Sequence, residues 1–278
     1  MVALSVALVM GFSPTYVAAV ATGVVLLVAA VRSSTRMSIA QVWGALAETT
    51  LRMISVVAAC AAAGLVIGGI SMTGLGSKFA DLVFLLAADS TILVLVISAI
   101  LAIILGMGMP TPSAFILAAV LVGPTLASLD FSVLQSNMFI LYFAVLSAMT
   151  PPVAVAAFAA AAIADAKPLE IATGAVRLAI TAFIVPFAFV YGDGLLMVGD
   201  WQTILISCVT AVIGVIMLSF GIEGYFRGQL AALARWCFVV AGLLFIFPNW
   251  LAIGGAVVLA IAAWMMTPHL RGRAKPAI

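Results

Sequence analysis

The stretch WQTILISCVTAVIGVIMLSF, residues Trp201–Phe220, decides the fold class. It runs for 20 residues without one charged side chain. About 20 apolar residues are needed to cross the hydrocarbon core of a bilayer as a helix. A membrane-spanning β-strand would instead alternate apolar and polar side chains over about ten residues. The stretch therefore predicts a transmembrane α-helix, because only a helix pairs all backbone N–H and C=O groups of such a segment with one another.

The composition extends this prediction to the whole chain. Of its 278 residues, 67% are hydrophobic and 7% are charged, and the mean hydropathy is +1.39. Soluble domains are about a quarter charged, so this chain cannot cover itself with a water-soluble surface. The 11 basic residues are scattered along the chain, which gives no indication of nucleic acid as a partner. We expect an all-α polytopic membrane protein whose surroundings are the lipid bilayer.

The other apolar runs place the remaining spans, and we expect residues 1–278 to form a single transmembrane domain. Polar residues at helical spacing between the first two spans predict an amphipathic helix along the membrane interface, at residues 33–52. A later span, which ends near Tyr191, should bend at Pro186. The remaining predicted spans are Ala3–Val31, Ile54–Ile70, Leu230–Phe247 and Leu251–Met266.

Basic residues predict the orientation of the chain in the membrane. They group in two connections and at the C-terminus, and the positive-inside rule places all three groups on the cytoplasmic side. The C-terminus is therefore expected in the cytoplasm. The three groups are Arg32, Arg36 and Arg52, then Arg227 and Arg235, then Arg271, Arg273 and Lys275.

Two segments interrupt the apolar sequence with proline and glycine beside hydroxyl side chains. The first is GMGMPTPS, Gly106–Ser113, and the second is SAMTPPV, Ser147–Val153. The apolar pieces around them are too short to span alone, so each pair forms either one broken crossing or a two-legged hairpin. The piece after the first break should end at residues 123–125, Gly-Pro-Thr. Unwound backbone is tolerated in a membrane only where protein or a water-filled cavity surrounds it.

These two breaks are the predicted site for substrate and ion. A single break is more often a plain kink, but two within about 45 residues favour a binding site. Freed carbonyls and hydroxyls suit a hard cation such as sodium, and half-helix N-termini suit an anionic substrate. The predicted site residues are Gly106, Met107, Gly108, Pro110, Thr111 and Ser113 in one half and Ser147, Thr150, Pro151 and Pro152 in the other. The predicted sodium ligands are at Gly106, Gly108, Thr111 and Thr150.

The rest of the sequence offers little chemistry. Ser71, Thr73 and Gly74 form a weaker third candidate, for which a plain turn is the competing interpretation. No HExxH, GxSxG or P-loop motif is present, so the sequence does not predict an enzyme. No cofactor is expected apart from sodium as a coupling ion, and any transport energy should come from an ion gradient.

The two breaks also carry a resemblance to a known family. ILGMGMPTPSAFILAAVLVGPTL (Ile104–Leu126) and FILYFAVLSAMTPPVAVAAFAAAAIADAKPLE (Phe139–Glu170) resemble the large membrane subunit of TRAP transporters. The similarity is greatest to the fused permeases that work with TAXI-type binding proteins. AVRLAITAFIVPFAFVY (Ala175–Tyr191) and GYFRGQLAALARW (Gly224–Trp236) continue it, so that it covers most of the chain from about Gly64 onward.

The resemblance implies a sodium-driven importer of small organic acids, such as C4-dicarboxylates, in a bacterial inner membrane. A periplasmic binding protein would deliver the substrate to an elevator-type transport domain with inverted repeats, re-entrant hairpins and broken helices. Family members often carry a histidine before the Phe that opens the second of these segments, whereas Asn137 stands two residues before Phe139 here. Asn137 joins the predicted site, and the difference implies either an altered substrate choice or simple variation. The family's large subunit has two repeats and this chain resembles the later one. The missing N-terminal repeat and the small membrane subunit are therefore expected partners.

Two other functions remain open at this point. A membrane scaffold or remnant that only docks partner subunits would need no polar lining at the breaks. A passive channel would carry downhill flux without sodium or a binding protein.

Overall fold

The computed structural model describes residues 2–31, 35–88, 90–226, 228–247 and 250–266, and their regular structure is helical, as the composition predicts. A turn of 3₁₀ helix at Ser147–Met149 and another at Asp193–Leu196 supplement the α-helices. The α-helices are α1 Val2–Val9, α2 Pro14–Val31, α3 Ile39–Thr73, α4 Leu75–Ala87, α5 Thr91–Gly106, α6 Thr111–Ala127, α7 Val133–Leu146, α8 Val155–Ala164, α9 Pro168–Leu178, α10 Ile180–Tyr191, α11 Trp201–Glu223, α12 Ala232–Ile246 and α13 Trp250–Met266.

The chain divides into two compact units, Met1–Ala58 and Ala59–Ile278. In the first unit, the predicted single span Ala3–Val31 is wrong, because α1 and α2 are separate helices. Gly11 has φ +79°, and the Gly11 and Phe12 N–H groups donate to Leu8 O and Ala7 O. This pair of bonds is the Schellman motif that ends a helix. Pro14 then opens α2 in the position where its missing N–H costs nothing.

Helix α3 replaces two predicted segments, the helix at residues 33–52 and the span Ile54–Ile70. It begins after Ser38, whose hydroxyl accepts from Gln41 N at 3.3 Å while Gln41 Oε1 accepts from Ser38 N at 2.8 Å. It continues through the predicted junction, where Arg52 pairs with Glu48 one turn earlier. At about 1.5 Å per residue, its 35 residues exceed the roughly 30 Å hydrocarbon core. That its first part lies along the interface stays a prediction.

The second unit has its main core between α5, α6, α7 and α10. Leu95, Val122 and Phe139 are completely buried there. The Phe139 ring meets Phe143 edge-on at a centroid distance of 4.9 Å and Phe187 at 5.5 Å. Since lipid tails are as apolar as these side chains, close packing of this kind is what holds membrane helices together. The aromatic contacts join α7 to α10, and aliphatic side chains of α5 complete the same core. The two breaks lie at the C-terminal ends of α5 and α7.

The predicted end of a helix at residues 123–125 is wrong, because α6 runs through Pro124 to Ala127. Proline at this position leaves Val120 O without its helical donor. Helix α4 packs on this face, and a Cβ added to Gly76 would lie 3.1 Å from Val120 O and 3.6 Å from Pro124 Cγ. The close approach of α4 at a glycine covers the interrupted turn, so that the helix continues.

The predicted bend at Pro186 is also misplaced. The bend lies at Ala179, where α9 and α10 meet at 44°. There the Ala182 N–H donates to Ala179 O in a tightened i+3 turn, whereas Pro186 is buried inside α10. By length and composition, α3 and α11 in the described chain could each cross a membrane, and the bent α9–α10 pair adds one broken or re-entrant span.

The predicted final pair is present as the adjacent helices α12 and α13, which are apolar but shorter than the candidate spans α3 and α11. That they cross the membrane stays a prediction. Helix α11 packs along α12, and α12 along α13. A Cβ added to Gly214 would lie 2.8 Å from Gly242 O, and one added to Gly242 would lie 2.8 Å from Gly214 O. The two backbones therefore touch at this crossing, as small residues allow in membrane helices. Arg32, Arg227 and the basic residues after Met266, on which the predicted orientation partly rests, lie outside the described residues.

Candidate functional site

The first break is the tip of a helical hairpin. Helix α5 ends at Gly106, because Met107 is extended with ψ 125° and Gly108 has φ +76°, a conformation that glycine adopts without strain. Pro110 and Pro112 stand at the start of α6, where missing N–H groups are tolerated. Since α5 and α6 pack against each other, the predicted choice between one crossing and a two-legged hairpin is resolved in favour of the hairpin.

The second break is a longer unwound connection. Helix α7 passes into the 3₁₀ turn Ser147–Met149, and Thr150 is extended. The Pro151–Pro152 peptide bond is cis, and Ala154 has φ +36° immediately before α8 begins. The Ala154 N–H donates to Thr150 O at 3.1 Å, which closes the connection. As at the first break, the C-terminus of one helix and the N-terminus of the next lie together.

The two breaks meet in space. A Cβ added to Gly106 would lie 2.5 Å from Ser147 Oγ and 3.3 Å from Ala144 O. A Cβ added to Gly108 would lie 3.3 Å from Val153 Cγ1. Glycine is therefore needed at residue 106, since any side chain there would collide with the second break. The structure brings together the two segments that the sequence singled out.

The hydroxyl groups of the second break donate hydrogen bonds to backbone carbonyls. Ser147 Oγ donates to Ala144 O at 2.7 Å, and Thr150 Oγ1 donates to Leu146 O at 2.8 Å. A hydroxyl that donates in this way keeps its oxygen lone pairs for another ligand. Ser147 is buried and Thr150 is half-buried. The arrangement can accept a cation or a hydrogen-bond donor without rearranging these two side chains.

The side chains of the first break differ in exposure. Thr111 is exposed, Met107 and Pro110 are half-buried, and Ser113 is completely buried. Ser113 Oγ lies 3.3 Å from Cys60 Sγ, within hydrogen-bonding distance for sulfur. Cys60 is not among the residues that the sequence predicted for the site. No local pattern could have linked it to Ser113, because the contact depends on how α3 passes the start of α6.

The structure does not bring the other predicted residues to the breaks. Asn137 is half-buried on α7, ten residues before Ser147 and therefore about 15 Å away along the axis. Ser71, Thr73 and Gly74 lie where α3 turns into α4, and the neighbouring Gly76 packs on Val120 and Pro124 in the later half of α6. Thr73 Oγ1 donates to Gly69 O at 2.8 Å and Gly74 has φ +63°. Both features are those of a plain turn.

Three buried hydroxyls in the bundle were not anticipated. They are Ser98 on α5, Thr125 on α6 and Ser136 on α7, whose side-chain oxygens have no hydrogen-bond partner among the described residues. Leaving a buried hydroxyl unpaired costs about 1–3 kcal/mol. A hydroxyl inside an apolar run is a weak sequence signal, because most such groups bond to the carbonyl one turn back, as Thr210 does to Ile206 O here.

Comparison with known proteins identifies the family. The sequence model of the tripartite ATP-independent periplasmic transporter, DctM component, matches residues 1–200. The match includes both breaks, so the resemblance is confirmed. It begins well before Gly64, where the resemblance was expected to start, and it leaves out Gly224–Trp236. No curated protein and no solved structure matches the chain significantly. With two juxtaposed helix breaks in an all-helical, apolar fold, the chain belongs to the DctM family, the multi-pass membrane permease components of TRAP transporters, which are transport proteins and not enzymes.

Proposed function

We propose that this chain is the sodium-coupled, later repeat of a TRAP permease that imports small organic acids across a bacterial inner membrane. The observation that carries the proposal is the contact between the two breaks, at Gly106 and Ser147. Paired helix breaks that face each other are where secondary transporters bind substrate and coupling ion.

Sodium is supported by the oxygen atoms available at the breaks. Neither Gly106–Ser113 nor Ser147–Val153 contains a charged side chain, so a bound ion would meet neutral oxygens. Thr150 Oγ1 keeps its lone pairs while donating to Leu146 O, and the C-terminal carbonyls of α5 and α7 lie at the two breaks. Hard cations favour such hydroxyl and carbonyl ligands. The proposed ligands are the carbonyls of Gly106 and Gly108 and the hydroxyls of Thr111 and Thr150.

A carboxylate substrate is supported by the helix N-termini. Helices α6 and α8 both begin at the breaks, and the first N–H groups of a helix lack intrahelical partners. These N–H groups, together with the positive end of the helix dipole, favour an anion. In α6 the amides of Thr111 and Ser113 would bind a substrate carboxylate. Sodium at the carbonyl ends and carboxylate at the amide ends would bind next to each other and so couple their movements.

The remaining parts of the system follow from the family. Membership implies a periplasmic binding protein and a small membrane subunit alongside the permease. We assign substrate delivery to a binding protein of the TAXI or TRAP type, and the other half of the site to the N-terminal repeat of the family's large subunit. The C-terminus would be cytoplasmic, and Asn137 would contribute to substrate choice from deeper in α7.

Sodium binding can be measured on the chain itself. Its melting temperature in detergent should be higher in sodium chloride than in potassium chloride at the same ionic strength. A ligand at ten times its Kd stabilises the folded state by about 1.4 kcal/mol. The Thr111→Val/Thr150→Val double variant should lose this sodium-specific increase. Thr73→Val, which alters a threonine at the plain turn, is the matched control and should keep it. Equal melting temperatures of the unaltered protein in both salts would overturn the sodium site.

Transport is tested in proteoliposomes that contain this chain, the N-terminal repeat of the family's large subunit, the small subunit and the binding protein. We expect uptake of labelled small organic acids only with an inward sodium gradient and the binding protein. Downhill flux without either would indicate a channel. No uptake from folded, inserted protein under any combination would favour the scaffold.

A further inference from the structure

A cavity lined by none of the residues of the two breaks lies where α11 ends and α12 begins. Its volume is about 470 Å³. Arg235 is the one charged residue among those that line it, which are Gly221, Ile222, Ala232, Arg235, Trp236 and Val239. A cavity with a single fixed positive charge at the end of two membrane helices is suited to an anion.

The guanidinium of Arg235 is held in place by the backbone of α11. Its Nε donates to Gly221 O at 3.1 Å and its Nη2 donates to Ile222 O at 3.0 Å. A Cβ added to Gly224, which has φ +70°, would lie 2.9 Å from Nε, so the side chain lies directly over this glycine. These bonds use two of the five N–H donors of a guanidinium and leave three for a ligand.

The described charges near the cavity, where α11 leads into α12, are positive on balance. Glu223 is the nearest acidic residue in the sequence, and its carboxylate pairs with Arg177 at 3.5 Å. Among the described residues, Arg177 and Arg235 therefore lie at this end of α11 with a single carboxylate, that of Glu223. An anion at Arg235 does not face an uncompensated carboxylate, although the α11 C-terminus itself favours a cation.

An apolar stripe continues from the cavity along α12. Leu233, Trp236 and Val240 recur at helical spacing, and their side chains are 64%, 68% and 42% exposed. On a membrane helix such a stripe faces acyl chains, and tryptophan favours the headgroup level of the bilayer. A phospholipid supplies both the anion for Arg235 and the chain for the stripe, whereas a free phosphate would use only the first.

We propose that the Arg235–Trp236 cavity binds the phosphodiester headgroup of an anionic phospholipid, with an acyl chain along Leu233, Trp236 and Val240. Basic pockets between membrane helices bind lipid headgroups in this manner. The proposal does not depend on the sodium or substrate site.

Quenching of Trp236 fluorescence by brominated lipid tests this contact. The full chain would keep Trp236 while its other tryptophans, Trp43, Trp201, Trp250 and Trp264, become Phe. It would be reconstituted in mixed vesicles of phosphatidylglycerol and phosphatidylcholine, with bromine on one lipid or the other. We expect brominated phosphatidylglycerol to quench at least twofold more than brominated phosphatidylcholine at equal mole fraction. A matched protein that keeps only Trp201, which is exposed at the far end of α11, should show no such preference.

Two further comparisons identify the binding group. Arg235→Gln should abolish the preference at Trp236, and Arg235→Lys, which keeps the charge but loses the planar fork, should retain part of it. Added inorganic phosphate should leave the stronger quenching of Trp236 by brominated phosphatidylglycerol unchanged, because a bound lipid is also held by its acyl chain. Loss of that preference in phosphate would mean that the site takes a free anion, which contradicts the lipid assignment. Equal quenching of Trp236 by the two brominated lipids, in the single-tryptophan protein that retains Arg235, would overturn the proposal.

Discussion

Glycine brings helices together in two regions of this protein, with different consequences. At the break pair, defined as Gly106–Ser113 with Ser147–Val153, Gly106 meets the hydroxyl of Ser147 where two helices end. At the α11–α12 crossing, Gly214 and Gly242 meet each other's carbonyls in the middle of continuous helices. Both helices are continuous through the crossing, so the contact contributes packing. The break pair leaves helix termini without intrahelical partners, which is what a ligand needs.

The largest effect is expected at the crossing. Gly242→Ala should lower the free energy of unfolding by about 3 kcal/mol, at the upper end for overpacking, because the new Cβ meets rigid backbone. Leu218 N and Gly214 O would both lie 2.8 Å from it. Unfolding in mixed micelles measures the change. Gly254→Ala in α13 has no atom within 4 Å of its Cβ and should gain up to about 1 kcal/mol from helix propensity. Similar losses in both variants would mean that the crossing at Gly242 is no more tightly packed than the open position at Gly254.

A smaller loss of stability is expected at the break pair, and a second substitution should partly restore it. Gly106→Ala should cost about 2 kcal/mol because its Cβ collides with a side chain rather than with backbone. Ser147→Gly removes that side chain, so the double variant should recover at least about 1 kcal/mol of the loss. The double-mutant cycle is measured by the same unfolding assay. Additive losses would mean that residues 106 and 147 are not in contact.

Removing an unpaired buried hydroxyl from the helix core should raise the free energy of unfolding instead of lowering it. Thr125→Val replaces an unpaired buried hydroxyl by a methyl group and should raise the free energy of unfolding by about 1 kcal/mol. Thr210→Val is the matched control, since its hydroxyl donates to Ile206 O at 2.8 Å, and it should lose about 1 kcal/mol. A loss at Thr125 as well would show that a water molecule or a ligand bonds to its hydroxyl.

The smallest effect is expected at the turn between α3 and α4. Thr73→Val changes an exposed side chain and should alter the free energy of unfolding by less than about 0.5 kcal/mol. Thermal unfolding in sodium and in potassium chloride checks both this value and the sodium response. If this variant lost the sodium response, the ion site would extend beyond the break pair.

The sequence predicted the breaks correctly where proline or glycine coincides with neighbouring hydroxyls, at Gly106–Ser113 and Ser147–Val153. It failed at Pro124, because a proline interrupts one hydrogen bond but packing against Gly76 keeps the helix intact. It also missed the end of α1 at Gly11, although Gly-Phe-Ser-Pro contains a stop signal followed by a start signal. The hydrophobic run through that segment concealed those local signals.

The bend in the α9–α10 pair shows another limit. Proline made Pro186 the expected position, yet the chain turns at Ala179, where a tightened turn forms instead. Likewise, the predicted junction in α3 contains no glycine or proline between Thr49 and Ile54, and the change from polar to apolar composition alone does not end a helix. Hydropathy reports the surroundings of a segment, whereas hydrogen bonding decides where it bends.

The sequence by itself determined that this chain is a helical membrane protein and located the two breaks that form the candidate site. Both follow from local properties, since apolar runs select lipid and proline or glycine limits the backbone at its own position. Only the tertiary structure decided that Gly106 lies against Ser147, that Cys60 reaches Ser113, and that Arg235 folds back over the end of α11. These contacts join residues far apart in the chain, and they depend on how the helices pack against one another.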